Sequence, residues 1–188
     1  MDERLAPVPD GPRARPGCRK GSRQARPSRQ ARHRKVGRNL PRSRRRALQL
    51  FDTNVIAELT TRAKPDPRVI AWFRSTARPN RFLSVITVAE IEAGVVAAPD
   101  PVRQARYAQA LAAVRHEFRD RFAPIGEPGA AAYLTIHKTL KAAGTSIDPP
   151  DALIAATALA NGWTVATRNI KHMARTGALV VNPWEQHM

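Results

Sequence analysis

Short apolar runs alternate with helical segments along most of this chain, and that alternation restricts the fold more than any other feature. The apolar runs predict strands at residues 47–51, 81–84, 123–126, 163–167 and 178–183. Helices are predicted at residues 66–77, 85–98, 100–122, 128–143 and 151–161. Strands that alternate with helices form a mostly parallel sheet with helices on both faces. The expected fold class is therefore α/β, with three layers in the order α/β/α around a mostly parallel central sheet.

The segment "DALIAATALANG" at residues 151–162 is an almost wholly apolar helix. A helix that is apolar on all sides has to be buried, so we expect it among the best-covered elements of the fold. Asn161 and Gly162 end the apolar pattern in the way that is typical of a helix C-terminus.

The first 46 residues differ in composition from the rest of the chain. The segment contains sixteen Lys or Arg residues against three acidic ones, a surplus of thirteen within the +17 of the whole chain. It also contains six prolines and no aromatic residue, so we expect a disordered tail. One interpretation is a basic arm that binds RNA or DNA phosphates; the others are a solvated tail and sequence upstream of the true translation start. The compact domain is expected to span residues 47–188.

Cys18 is the only cysteine, so no disulfide can form within the chain. No apolar run approaches the length of a membrane span, and the basic N-terminus lacks the apolar region of a secretory signal. We therefore expect a reducing, cytoplasmic location and no membrane partner.

Three acidic side chains are predicted to lie at one edge of the sheet. Asp52 follows the first strand, and Glu90 lies in the first turns of the helix after the second strand. Asp151 begins the helix that leads back into strand 163–167, so it lies at the carboxyl end of that strand. The same strand end carries a further polar group, formed by Thr167, Arg168 and Asn169. Ligands of open α/β sheets bind at this edge. The side chains of Asp52, Glu90, Asp151 and Asn169 are therefore expected to converge there.

Each acid also has a purely structural interpretation. Asp52 can be the N-cap of the helix that follows it. Thr87 and Glu90 have the spacing of a capping box. Asp148 can cap the next helix, and Asp151 would then only favour the helix dipole.

Taken together, the three acids indicate a cation site. Like charges repel one another when they are packed side by side, unless a cation neutralises them. Carboxylate oxygens favour Mg²⁺ or Mn²⁺, and the chain has no Cys/His cluster for zinc. Glu58 and Glu92 lie near these motifs and are expected to face solvent or the rim of the site.

The motifs resemble those of a PIN-domain ribonuclease, in particular the VapC-type toxin of a type II toxin–antitoxin pair. "LFDTNVIAEL" resembles the opening strand and first aspartate of that family, and "LSVITVAEIEAGV" resembles the segment with its glutamate. "DALIAATALANGWTVATRN" resembles the third motif and the strand that leads to the fourth. The resemblance runs from about residue 47 to residue 184, and the order and spacing of the motifs are its most specific feature.

The resemblance implies a metal-dependent endoribonuclease that cleaves RNA phosphodiester bonds. Asp52, Glu90 and Asp151 would be the catalytic, metal-binding residues, with Mg²⁺ or Mn²⁺ as the cofactor. Supporting contacts to the phosphate or to the acids are expected from Asn54, Thr167, Arg168 and Asn169.

The fourth motif departs from the acidic pattern of many relatives. Asn169 supplies a neutral oxygen, and His172 stands where an aspartate is common. The site thus has three clear carboxylates, which leaves open whether it binds one metal ion or two. His172 could protonate the leaving group, although a surface histidine is the favoured interpretation.

The expected partners are an RNA substrate, a cognate antitoxin protein and a second copy of the chain in a homodimer. A noncatalytic RNA-binding module is the alternative from another class, in which the basic arm binds RNA and the acids only cap helices. A housekeeping RNA-processing nuclease is the alternative within the enzyme class.

Overall fold

Five strands form the central sheet in the computed structural model, which describes residues 48–186. They are β1 (Gln49–Phe51), β2 (Arg81–Ser84), β3 (Phe122–Ala123), β4 (Thr164–Ala166) and β5 (Leu179–Val181). Their order across the sheet is β3-β2-β1-β4-β5, and every pairing is parallel. The predicted parallel sheet is confirmed. Because the strands run in one direction, all their carboxyl ends lie at the same edge.

Helices precede or follow each strand within the described part of the chain. They are α1 (Thr53–Thr60), α2 (Pro67–Ser75), α3 (Val85–Val96), α4 (Pro101–Phe118), α5 (Glu127–Ala142), α6 (Pro149–Asn161) and α7 (Ile170–Ala174). A 3₁₀ turn at Arg78–Asn80 leads into β2. Helix α7 is not among the predicted helices, because five residues are too few to show a helical period.

The largest boundary difference from the prediction is at the end of α4. This helix ends at Phe118, whereas the prediction extended it to residue 122. The chain turns there, and the Arg121 N–H donates to the Phe118 carbonyl at 2.7 Å. Phe122 then joins the sheet beside Leu83. Strand β3 therefore starts one residue before the predicted segment 123–126 and has only two residues.

The sheet separates two apolar clusters, because neighbouring residues of a strand point to opposite faces. Leu50 and Val165 belong to the cluster under α5 and α6, and that cluster also contains Ile154 and Ile136. Phe51 and Ala166 belong to the other cluster, under α1, α2 and α4, with members such as Val55, Val69 and Phe118. Helices thus cover both faces, and the predicted three-layer α/β/α class is confirmed.

Helix α6 is buried along most of its length, as its apolar sequence predicts. Ala152, Ile154, Ala155 and Ala156 are all fully buried. Gly162 closes the helix with φ +67°, a left-handed conformation that glycine adopts without the steric cost of a Cβ atom.

Trp72 and Phe73 are partly buried and pack against the apolar cluster that contains Phe51. Their ring centroids lie 5.5 and 5.6 Å from that of Phe51. The tilted geometry of both pairs is among the favourable arrangements for aromatic rings. The pair is therefore not available as a stacking surface for bases.

Two further sequence predictions concern membrane spans and the N-terminal tail. Among residues 48–186, no helix combines the length and apolar character that crossing a bilayer requires. The predicted tail at residues 1–46 lies outside the described residues, so its disorder and its role stay predictions.

Candidate active site

Asp52 lies between β1 and α1, at the carboxyl edge of the central strand. It is the N-cap of α1, and its Oδ1 accepts a hydrogen bond from the Thr53 N–H at 2.7 Å. Its Oδ2 accepts two more, from Asn54 Nδ2 at 2.9 Å and from Thr167 Oγ1 at 2.6 Å. The residue is only 1% exposed. A cap alone needs one of these bonds, so the other two fix the orientation of a buried carboxylate.

Glu90 is held by the residue that follows Asp52. Thr53 Oγ1 donates to Glu90 Oε2 at 2.6 Å, which joins the start of α1 to the sixth residue of α3. The capping-box interpretation of Glu90 is wrong, because Ser84 is the N-cap of α3 and accepts from the Ile86 N–H. Glu90 therefore has no helix-capping role and is free to face the site.

Asp151 is the third residue of α6 and belongs to its first turn. Asp148 occupies the N-cap position, as one interpretation predicted, but its side chain makes no capping hydrogen bond. Asp151 Oδ2 accepts a hydrogen bond from Asn169 Nδ2 at 2.9 Å. Asn169, which follows β4, therefore orients the Asp151 carboxylate. Asp151 thus has a specific contact in addition to its favourable interaction with the helix dipole.

Thr167 and Asn169 connect two of the acids through one short path. The Asn169 N–H donates to Thr167 Oγ1 at 2.9 Å, and that hydroxyl in turn donates to Asp52. Thr167 is fully buried, and its hydroxyl donates one hydrogen bond and accepts another, both with protein partners. The path from Asp52 through Thr167 and Asn169 ends at Asp151.

Burial and mutual repulsion raise the pKa of two of the carboxyls. Burial is the largest cause for Glu90, and the nearby Asp52 and Asp151 raise its pKa further, while the Thr53 hydrogen bond lowers it. Burial is also the first cause for Asp151, followed by the charge of Asp52; the Asn169 hydrogen bond and His172 oppose the rise in its pKa. The charge of Asp52 therefore disfavours the ionised forms of Glu90 and Asp151, and a bound cation would relieve that repulsion.

The donor set fits a hard divalent cation. Glu90 Oε1 and Asp151 Oδ1 accept no hydrogen bond from any residue that the structure describes, and both are carboxylate oxygens. Within residues 48–186, no group of three or more Asp, Glu, His or Cys side chains is arranged to hold a metal ion by itself, so a cation here would take one or two of these carboxylates together with waters. Mg²⁺ commonly keeps several waters and takes one or two carboxylates, so an incomplete cage fits that ion.

The remaining predicted residues lie around this cluster. Asn54 is exposed, but its amide is bonded to Asp52. Arg168 is exposed, and its guanidinium carbon lies 5.6 Å from the ring centroid of Trp184. His172 is exposed and close enough to Asp151 to affect the pKa of that carboxyl.

Two residues have roles that the sequence analysis missed. Thr53 directly follows Asp52 in the sequence, but its hydrogen bond to Glu90 forms only because β1 and β2 are neighbours in the sheet. Glu58 is only 8% exposed and accepts from the Asp66 N–H at 2.8 Å, so the expectation that it faces solvent is wrong. It joins the end of α1 to the start of α2.

The all-parallel sheet and the three acids at its carboxyl edge agree with the motifs, which resemble those of PIN-domain ribonucleases. The family model described as PIN domain matches residues 50–179. The chain belongs to the PIN domain family, and the resemblance seen in the sequence is confirmed.

Named relatives match over nearly their full length. "Plasmid stability protein StbB" of Pseudomonas syringae pv. tomato is 39% identical, over 72% of this chain and 98% of its own. "VapC ribonuclease Y4jK" of Sinorhizobium fredii is 36% identical, and "Toxin FitB" of Neisseria gonorrhoeae is 38% identical; each match covers 72% of this chain and 97% of the relative. The crystal structure of FitAcB from Neisseria gonorrhoeae superposes with a TM-score of 0.68 at 37% identity, over 73% of this chain and 99% of the other.

Proposed function

We propose that this chain is the toxin of a toxin–antitoxin pair and acts as a divalent-metal-dependent endoribonuclease. The observation that carries the proposal is the convergence of Asp52, Glu90 and Asp151, each held by a hydroxyl or amide donor from another element. The relatives named VapC ribonuclease and Toxin FitB support the activity and the biological role.

In this proposal Asp52, Glu90 and Asp151 hold Mg²⁺ or Mn²⁺. A bound divalent cation supplies Lewis-acid stabilisation of the negative charge that develops on the phosphate and the leaving oxygen. The raised pKa values of Glu90 and Asp151 suit this role, because a bound cation favours the ionised forms of both carboxyls.

The surrounding donors are positioning residues in this proposal. Thr53 fixes Glu90, Thr167 and Asn54 fix Asp52, and Asn169 fixes Asp151. Catalysis of phosphodiester cleavage depends on carboxylates whose orientation is set before substrate binds. Asn169 therefore acts through Asp151, which gives the altered fourth motif a function without a fourth acid.

The partner in this proposal is an antitoxin protein that blocks the acid edge of the sheet. The solved complexes titled FitAcB and FitAB bound to a DNA fragment support such a pairing, at 37% identity to this chain. A homodimer remains our expectation from the sequence.

Cleavage of a mixed tRNA and mRNA pool by the full-length protein tests the enzyme proposal. Discrete cuts are expected with Mg²⁺ or Mn²⁺, and they should disappear with EDTA and in Asp52→Asn. Glu92→Gln is the matched control, because Glu92 lies on α3 two residues after Glu90 and forms a surface ion pair with Arg115. Folded, antitoxin-free protein that binds RNA but cuts nothing with either metal would favour the noncatalytic RNA-binding module.

A further inference from the structure

A second concave surface lies beside the acid site, between the α1–α2 loop and the C-terminal segment. This cationic groove encloses about 470 Å³ and is lined by Lys64 and Pro65 of the loop, Arg168 after β4, and Trp184 after β5. Its volume is within the range of sites that hold a small ligand or one unit of a polymer. Trp184 is 7% exposed, so it contributes an edge of the groove and not an open stacking face.

The groove presents two cations, Lys64 and Arg168, that form no close ion pair with the described residues, although the charge of Arg168 helps to lower the pKa of Asp66. Lys64 and Arg168 form no ion pair with any residue in the range 48–186 that the structure describes. Arg62 also lines the groove, and its Nε lies 3.7 Å from Glu58 Oε2. The Arg62 side chain is exposed, so this ion pair is weak in water. The guanidinium of Arg168 is placed over the Trp184 ring, which holds it at the groove wall.

The two carboxylates in the groove are already occupied by protein donors. Glu58 accepts from the Asp66 N–H at 2.8 Å. Asp66 accepts from Arg68 Nε at 3.1 Å and from Arg68 Nη2 at 2.7 Å, and this arginine holds the pKa of Asp66 below its usual range. Three cations of the lining, Arg62, Lys64 and Arg168, stand against these two carboxylates, so the groove carries a small net positive charge.

Arg168, which lines the groove, is flanked in the chain by two residues that contact the acids. Thr167, the residue before it, donates to Asp52, and Asn169, the residue after it, donates to Asp151. The groove and the acid site therefore share the segment from Thr167 to Asn169, and an RNA strand bound at the acids has Arg168 beside that segment.

We propose that the cationic groove binds the nucleotide adjacent to the scissile bond of the RNA. This inference rests on the proposed function. The backbone phosphate of that nucleotide lies against Lys64 and Arg168, with Arg62 nearby, and its sugar and base pack against Pro65 and the edge of Trp184. Lysine and arginine are the usual phosphate contacts, and they contribute affinity without reading the base sequence.

The test is equilibrium binding of a fluorescein-labelled, 12-nucleotide single-stranded RNA to the full-length protein in EDTA, so that no metal or cleavage is involved. Lys64→Ala with Arg168→Ala is compared with Lys138→Ala with Lys141→Ala, a control of equal charge change on exposed positions of α5. We expect the groove variant to lose roughly tenfold in affinity and about 1.4 in the slope of log K against log salt, since each lost phosphate contact on a single strand removes about 0.7. Control variant and wild type should agree.

Equal affinity and equal salt slope for the groove and control variants would overturn the proposal. Unchanged RNA binding together with lost antitoxin binding would also overturn it, and would make the groove a protein-binding surface. Failure of the enzyme proposal looks different: the wild type would then cut no RNA with metal, while the groove variant would still bind RNA more weakly in EDTA.

Discussion

Thr53 Oγ1 lies 2.6 Å from Glu90 Oε2, while the Thr53 backbone N–H lies 2.7 Å from Asp52 Oδ1. One residue therefore orients two of the three acids, which come from neighbouring strands of the sheet. The contact spans 37 positions along the chain and exists only because β1 and β2 are paired. Thr53 is thus the residue through which the sheet order sets the geometry of the acid site.

Thr53→Val should weaken catalysis while leaving the fold intact, because valine keeps the shape of threonine and removes only the hydroxyl. A hydrogen bond to a charged group contributes about 1.5–3 kcal/mol, and the half-exposed position reduces that, so we expect about a tenfold loss in kcat. Thr53→Ser should retain activity.

A second readout separates positioning from a general structural effect. In metal-free protein the Thr53 hydroxyl lowers the pKa of Glu90, so Thr53→Val should raise that pKa further and Thr53→Ser should not. NMR titration of the Glu90 side-chain carboxyl measures it. An unchanged Glu90 pKa in Thr53→Val would contradict the assigned role.

The pH dependence of stability follows from the raised pKa values of Glu90 and Asp151. A carboxyl whose pKa is higher in the folded state binds its proton more tightly there, so the metal-free fold loses stability as pH rises through the folded pKa. The gain in stability on acidification therefore begins above the ordinary pKa values of 4.5 for Glu and 3.8 for Asp, and it is complete below them. We therefore expect these two groups to raise the Tm in EDTA as the pH is lowered through their folded pKa values toward those ordinary values.

Glu90→Gln should remove part of that dependence and raise the Tm at pH 7 in EDTA, since glutamine can still accept the Thr53 hydrogen bond. Glu92→Gln, on the exposed side of α3, should behave like the wild type. A scan of Tm against pH for the three proteins is sufficient. Identical curves for Glu90→Gln and wild type would contradict a raised pKa of Glu90 in the folded protein.

Two glycines with open surroundings should respond to alanine in opposite directions. A Cβ atom at Gly162 or at Gly94 would meet nothing within 4 Å, so packing does not contribute at either position. Gly162 has φ +67°, and alanine there should cost about 1 kcal/mol because a side chain disfavours the left-handed region. Gly94 lies inside α3, and alanine there should stabilise by about 0.5–1 kcal/mol. Urea unfolding of both variants measures the two changes.

The positions of Asp52 and Asp151 could be predicted because one adjoins the end of a strand and the other lies in the first turn of a helix. Asp52 ends an apolar run, and Asp151 begins the most apolar helix; both signals are local in the sequence. The partners of the acids could not be predicted, because the bonds from Thr53 to Glu90 and from Asn169 to Asp151 depend on which elements are neighbours. A single sequence with local patterns does not contain the strand order β3-β2-β1-β4-β5.

The errors have equally specific causes. The Thr87–Glu90 spacing matches a capping box, but α3 begins directly at the end of β2 and Ser84 caps it, so the pattern is coincidental. Glu58 was expected to face solvent or the rim of the site, and it does not face open solvent. Its carboxylate is instead taken up by the Asp66 N–H in the turn that follows α1. Strand β3 is only two residues long, too short to show an alternating pattern.

Binding of Mn²⁺ to the full-length protein, followed by the EPR signal of the free ion, tests the central claim that Asp52, Glu90 and Asp151 form a cation site. It does not depend on knowing the RNA substrate. We predict that the wild type and Glu92→Gln bind Mn²⁺, that Asp52→Asn and Glu90→Gln bind it at least tenfold more weakly, and that Mg²⁺ displaces it. Equal Mn²⁺ affinity in all four proteins, each shown to be folded by circular dichroism, would contradict the account.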